Sequence, residues 1–164
     1  MPVTDVKKDL DTLTMTITAE FDAGAERVWE MWSDPRLLER WWGPPSYPAT
    51  FVEHDLSPGG RSAYFMTGPD GQRHHGWWEI KEVEPPRRLR IEDGFGDDGK
   101  PNEDMPGPSA ATVTITEADG VTTMSIESTF PSRGDMDQML EMGMEQGMTE
   151  ALGQIDGLLV PERA

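Results

Sequence analysis

Residues 40–60, RWWGPPSYPATFVEHDLSPGG, constrain the fold more than any other part of the chain. Two tryptophans stand at the exit of a predicted helix. Gly43, Pro44 and Pro45 then break the backbone, a short strand follows, and Pro58-Gly59-Gly60 bends the chain into the next one. An indole is large, rigid and amphipathic, and proline fixes φ while removing a backbone donor. Two indoles held at such a break either plug one end of a core or wall a cavity. Adjacent side chains diverge, which predicts one of Trp41 and Trp42 inside and the other capping a surface.

On either side of this stretch the periodicity is that of strands. Residues 12–22, TLTMTITAEFD, place Leu13, Met15, Ile17, Ala19 and Phe21 on one face and threonines and Glu20 on the other, the pattern of a half-buried strand. Val28, Met31 and Trp32 then recur at helical spacing, and Asp34-Pro35 supplies an N-cap and a first-turn proline for a second short helix through Arg40. Strand-like segments follow at residues 50–54, 61–66, 73–83, 87–92, 110–117 and 121–129, joined by turn chemistry at Pro58-Gly59-Gly60, Pro69-Asp70-Gly71, Pro85-Pro86 and Asp119-Gly120. Connections this short favour an antiparallel meander of about seven strands over parallel crossovers. Residues 93–109, DGFGDDGKPNEDMPGPS, carry too little apolar content for a strand and read as an acidic surface loop, a flap in form.

Beyond residue 135 the period changes to that of a helix. At about 100° per residue, Met136, Leu140, Gly143, Met144, Gly147, Met148, Ala151, Leu152, Ile155, Leu158 and Leu159 fall on one broad face, predicting a long helix over residues 135–159 packed along its length. Asp135 with Gln138 suggests a capping box at its start. Met139 and Met142 lie off the apolar arc, so they are exposed or touch a partner. With Glu141, Glu145, Glu150 and Asp156 on the polar side and no Lys or Arg between Gly134 and Glu162, internal salt bridges add nothing to this helix.

At 164 residues one domain is expected, residues 1–164 with a core over about 12–159. The net charge of −17 repels phosphate backbones and anionic headgroups, so no nucleic acid and no membrane partner is expected. No apolar run is long enough to span a bilayer and the first ten residues lack a signal-peptide core, which predicts a cytoplasmic protein. The absence of cysteine removes thiolate nucleophiles and cysteine-based zinc sites.

The order strand, two short helices, six antiparallel strands and a long C-terminal helix is that of the α+β helix-grip fold. VWEMWSDPRLLERWWGP, DLSPGG, GPDG, GWWEI and EPPRRL, in that order, resemble the START-like (SRPBCC) superfamily, and within it the branch similar to the C-terminal domain of the activator of Hsp90 ATPase. The resemblance spans residues 15–159. It implies a sheet curled around the long helix with a cavity between them, and a role in binding lipophilic molecules, in polyketide cyclisation or in Hsp90 co-chaperone work. With about eleven residues ahead of the first predicted strand, the separate N-terminal docking domain of the co-chaperone is not expected.

Within that frame the expected function is binding of a small lipophilic or aromatic molecule, walled by Trp41, Phe51, Tyr64, Trp78, Met124, Met144 and Met148, with Tyr64 or His54 fixing its orientation. Trp78 shares strand parity with Ile80 and should face inward, Trp77 outward. The methionines suit shape-tolerant apolar binding, although core filling is the commoner use of the residue. A protein-interaction module with a chaperone or other partner, and a cyclase or hydrolase using the same cavity, are the alternatives. No cofactor is expected. Adjacent His74 and His75 point apart on a strand and cannot chelate together, and no nucleophile elbow is present. The carboxylate pairs Glu53/Asp55 and Glu79/Glu82 read as solvated strand faces. A monomer or a homodimer is equally compatible with the sequence.

Overall fold

The computed structural model describes residues 3–43, 45–96 and 109–159. Eight strands form one antiparallel sheet: β1 (Val3–Asp9), β2 (Thr14–Phe21), β3 (Ala49–His54), β4 (Arg61–Thr67), β5 (Arg73–Glu84), β6 (Arg88–Phe95), β7 (Ser109–Ala118) and β8 (Val121–Thr129). Their spatial order is β1-β2-β8-β7-β6-β5-β4-β3. Two helices, α1 (Ala25–Ser33) and α2 (Pro35–Trp41), follow β2, and three helical segments, α3 (Arg133–Glu141), α4 (Met144–Gly153) and α5 (Ile155–Leu159), close the chain. This is the α+β helix-grip arrangement, a curved sheet with its helices on one face.

Alternation builds the sheet. In β2, Met15, Ile17, Ala19 and Phe21 are buried while intervening positions are not, and the same pattern in β7 and β8 buries Ala111, Val113, Ile115, Met124 and Ile126. Side chains of one parity from β2 to β8 therefore share one face and join the buried cluster with α1, α2, α4 and α5. Bulges between Phe51 and Glu53 and between Ile80 and Glu82 shift the register, and such insertions bend a strand and increase its twist.

In its secondary-structure elements the structure departs from the sequence reading in four places. The first strand expected is in fact the second, because β1 pairs with β2 from Val3 to Asp9 and makes the strand count eight. Its apolar signal is faint, Val3 and Val6 alone, as befits an edge strand whose Asp5, Lys7 and Lys8 discourage pairing with another sheet. The expected loop over 93–109 is shorter at both ends, since β6 runs through Phe95 and β7 begins at Ser109, while residues 97–108 lie outside those described. Ser132, not Asp135, caps the C-terminal region, its Oγ accepting from Asp135 N at 3.1 Å. The long helix is broken: Gly143 has φ +87° and ends α3, and Gln154 separates α4 from α5. A left-handed residue cannot continue a right-handed helix, so α3 and α4 meet at an angle that a straight helical plot does not carry.

Candidate ligand groove

The tryptophan pair lies at the end of α2. Trp41 is its last residue and Trp42 its C-cap, with φ −68° and ψ 0°. Neighbours on a helix diverge by about 100° rather than the 180° of a strand, so both indoles reach the interior. Trp41 is fully buried and Trp42 is 9% exposed, which corrects the expectation that one of them caps a surface. Trp41 Nε1 donates to the Met31 carbonyl at 2.8 Å. Trp32 and Trp42 pack against it and Trp78 packs against both of them in turn, with ring centroids 4.9 Å apart for Trp32–Trp41 and 4.8 Å for Trp42–Trp78, both edge to face. Phe51 and Tyr64 stack at 5.0 Å beside Trp78. Gly76 makes this possible, since a Cβ there would lie 2.5 Å from the Tyr64 ring. Trp78 faces inward as its parity predicts; Trp77 lies on the opposite face over Gly94, where a Cβ would lie 2.6 Å from the indole.

Four of the residues expected to wall a cavity, Trp41, Phe51, Trp78 and Met124, are packed in the core instead, and Tyr64 packs with them. Met124 accepts from Trp32 Nε1 through its sulfur at 3.2 Å. Met144 and Met148 are only partly buried and line an open groove of about 340 Å³. Its other walls are Trp42, Gly43, Tyr47, Met66, Met139, Met142, Gly143, Gly147 and Ala151.

Three features hold the groove open. The break at Gly143 brings Met139 of α3 and Met142, its C-cap, round to face the same space as Met144 and Met148 of α4. The chain doubles back tightly after Trp42, where a Cβ on Gly43 would lie 2.0 Å from the Tyr47 carbonyl oxygen, so this glycine is required. Gln154 then ties the far end of α4 to the same turn, its Nε2 donating to Gly43 O at 2.7 Å and Trp41 O at 3.3 Å. Met66 arrives from β4 through its register opposite Ala49. Among the described residues the lining contains five methionines, one indole, one phenol and no charged side chain. Glu145, next to Met144, is paired with Lys8 of β1.

Polar groups gather in the aromatic core rather than in the groove. His54 is held at both nitrogens: Nε2 donates to the Trp32 carbonyl at 2.8 Å, so Nδ1 of the neutral ring accepts from Ser62 Oγ at 2.7 Å. Loss of hydration holds its pKa below the ordinary histidine value. The Tyr64 hydroxyl is pushed well above the usual phenol range by burial and by the neighbouring charge of Asp93. Asp93 lies opposite Trp78 in the β5–β6 ladder and projects from the same face; half-buried there, it loses hydration and its carboxyl is pushed up to about 7. The Nε1 atoms of Trp42 and Trp78 are buried beside the Tyr64 hydroxyl. Among the described residues no three His, Asp or Glu side chains gather to hold a metal ion, and no helix is long and apolar enough to cross a membrane.

A curved sheet closed by helices, with an apolar recess beside the C-terminal segments, defines a START-like protein of the helix-grip class. Residues 22–160 match the profile of the activator of Hsp90 ATPase homolog 1-like proteins, and the chain belongs to that family. Among solved structures it is similar to protein Ms6760 from Mycobacterium smegmatis, at 51% identity over 99% of this chain and 100% of that one, with a TM-score of 0.89. A protein from Arthrobacter aurescens is 50% identical over 96% of this chain and 91% of its own, with a TM-score of 0.91. CalU16 from Micromonospora echinospora, at 22% identity, 90% and 76% coverage and a TM-score of 0.61, shares the fold. No curated protein matches the chain.

Proposed function

We propose that this protein binds a small, uncharged apolar molecule in the groove between α3, α4 and the turn after α2. The observation that carries this reading is the lining: Met66, Met139, Met142, Met144 and Met148 around a space of about 340 Å³, within the range of small-molecule sites. Methionine is flexible and polarisable, so such a wall adapts to its occupant, and each Å² of apolar surface moved from water contributes about 25 cal/mol. The absence of Lys, Arg and His among the described residues of the lining, in a chain of net charge −17, disfavours a carboxylate-bearing ligand. His54 and Tyr64 are outside the lining, so orientation falls to shape rather than to either of them.

Titration with phenylnaphthylamine, an uncharged apolar fluorophore, tests this directly. Emission should rise saturably, and Met148→Gln should weaken binding by about fivefold or more while the circular dichroism spectrum is unchanged. Unsaturable emission, or an undiminished affinity in the variant, would contradict the reading. A second reading, docking of a protein partner, is favoured by one observation: Met142 is 51% exposed at the rim, next to Glu141. It predicts that Met142→Glu abolishes partner capture, which a pull-down comparing the parent chain with the variant would show.

A further inference from the structure

Four glycines, Gly143, Gly147, Gly153 and Gly157, stand in the C-terminal segments, and the three that lie within helices, Gly147, Gly153 and Gly157, weaken them relative to alanine. Gly143 is required by its φ of +87°. At Gly147, Gly153 and Gly157 the backbone is not left-handed, and an added Cβ would meet no atom within 4 Å, so neither conformation nor internal packing calls for glycine. Of these three, Gly147 alone lines the groove, and it does so from the interior of α4, where glycine is least favourable.

We propose that Gly147 is the specificity-determining residue of the groove: its missing side chain leaves a bare patch of helix backbone as one wall, which admits the wide, rigid part of an uncharged aromatic ligand that a methyl group would exclude. The inference rests on the groove being the ligand site. A narrow alkyl chain can pass beside an added methyl by changing rotamers, whereas a rigid ring system cannot, so the residue discriminates by width. One methylene's worth of volume in an apolar site changes affinity by about tenfold or more.

The test compares phenylnaphthylamine, a wide ring system, with dodecanol, a narrow chain, on the full chain and on Gly147→Ala and Gly153→Ala. Both substitutions should raise the melting temperature, by roughly 2 to 4 °C in a domain of this size, which guards against misfolding as an explanation. Gly147→Ala should weaken phenylnaphthylamine by about tenfold and leave dodecanol within about twofold, and Gly153→Ala should alter neither. Should Gly147→Ala prove too small a change to exclude the ring, Gly147→Leu must do so. If both Gly147 variants bind phenylnaphthylamine as tightly as the parent chain, or both probes weaken equally, the width role is wrong while the groove reading stands. If the parent chain binds neither probe, both are wrong.

Discussion

His54 and Asp93 show how one interior treats two titratable side chains. His54 is neutral, with its tautomer fixed by the Trp32 carbonyl, and its depressed pKa means that the unfolded chain takes up its proton first as pH falls. The stability it lends is therefore present above about 6.5 and is lost as pH falls from there toward the lower folded value. Asp93 runs the other way. Its carboxyl, pushed up to about 7, holds its proton more tightly folded than unfolded, so rising pH removes stability between about 4 and 7. Asp93→Asn should consequently gain on the parent chain as pH rises, with its advantage in urea denaturation larger at pH 8 than at pH 4; a difference independent of pH would show that the carboxyl is not perturbed. At this scale the sequence carried the burial of Trp78 but not that of Trp42. Strand parity assigned the former, whereas Trp42 depends on where α2 ends, and the proline-rich stretch after Gly43 does not give that to within a residue.

The strands were legible as elements because a half-buried strand repeats every two residues over its length, as Met15, Ile17, Ala19 and Phe21 do. β1 was not legible, since an edge strand with two partly buried valines leaves almost no period to detect. The C-terminal region fell between these cases. Plotting 135–159 as one straight helix put Met144 and Met148 on the apolar arc and left Met139 and Met142 off it. With Gly143 left-handed, the two helices have different axes, and the four side chains converge on one groove. Gly143→Ala should thus destabilise the domain by about 1 to 2 kcal/mol through the left-handed backbone alone, visible as a lower urea midpoint. An unchanged midpoint would mean that the break is not fixed there. Tyr47 and Met66 were missed because their proximity to α4 is a product of sheet register, to which local sequence spacing is blind.

For the whole molecule, methionine divides the interior into two kinds of space. Met15, Met31, Met124 and Met136 are buried in the aromatic and aliphatic core, while Met66, Met139, Met142, Met144 and Met148 line the groove. The family match and the structural likenesses account for the sheet and its helices, and the groove is where this chain leaves flexible apolar surface unfilled. Binding there must disturb one set of methyl groups and spare the other. The decisive measurement is a methyl spectrum of the protein labelled with ¹³C at its methionine methyls, followed through a titration with phenylnaphthylamine. The five groove methionines should shift along a common saturable curve while Met15, Met31, Met124 and Met136 stay in place. Shifts centred on Met124 and Met136, or none that saturate, would contradict the assignment of the groove as the ligand site.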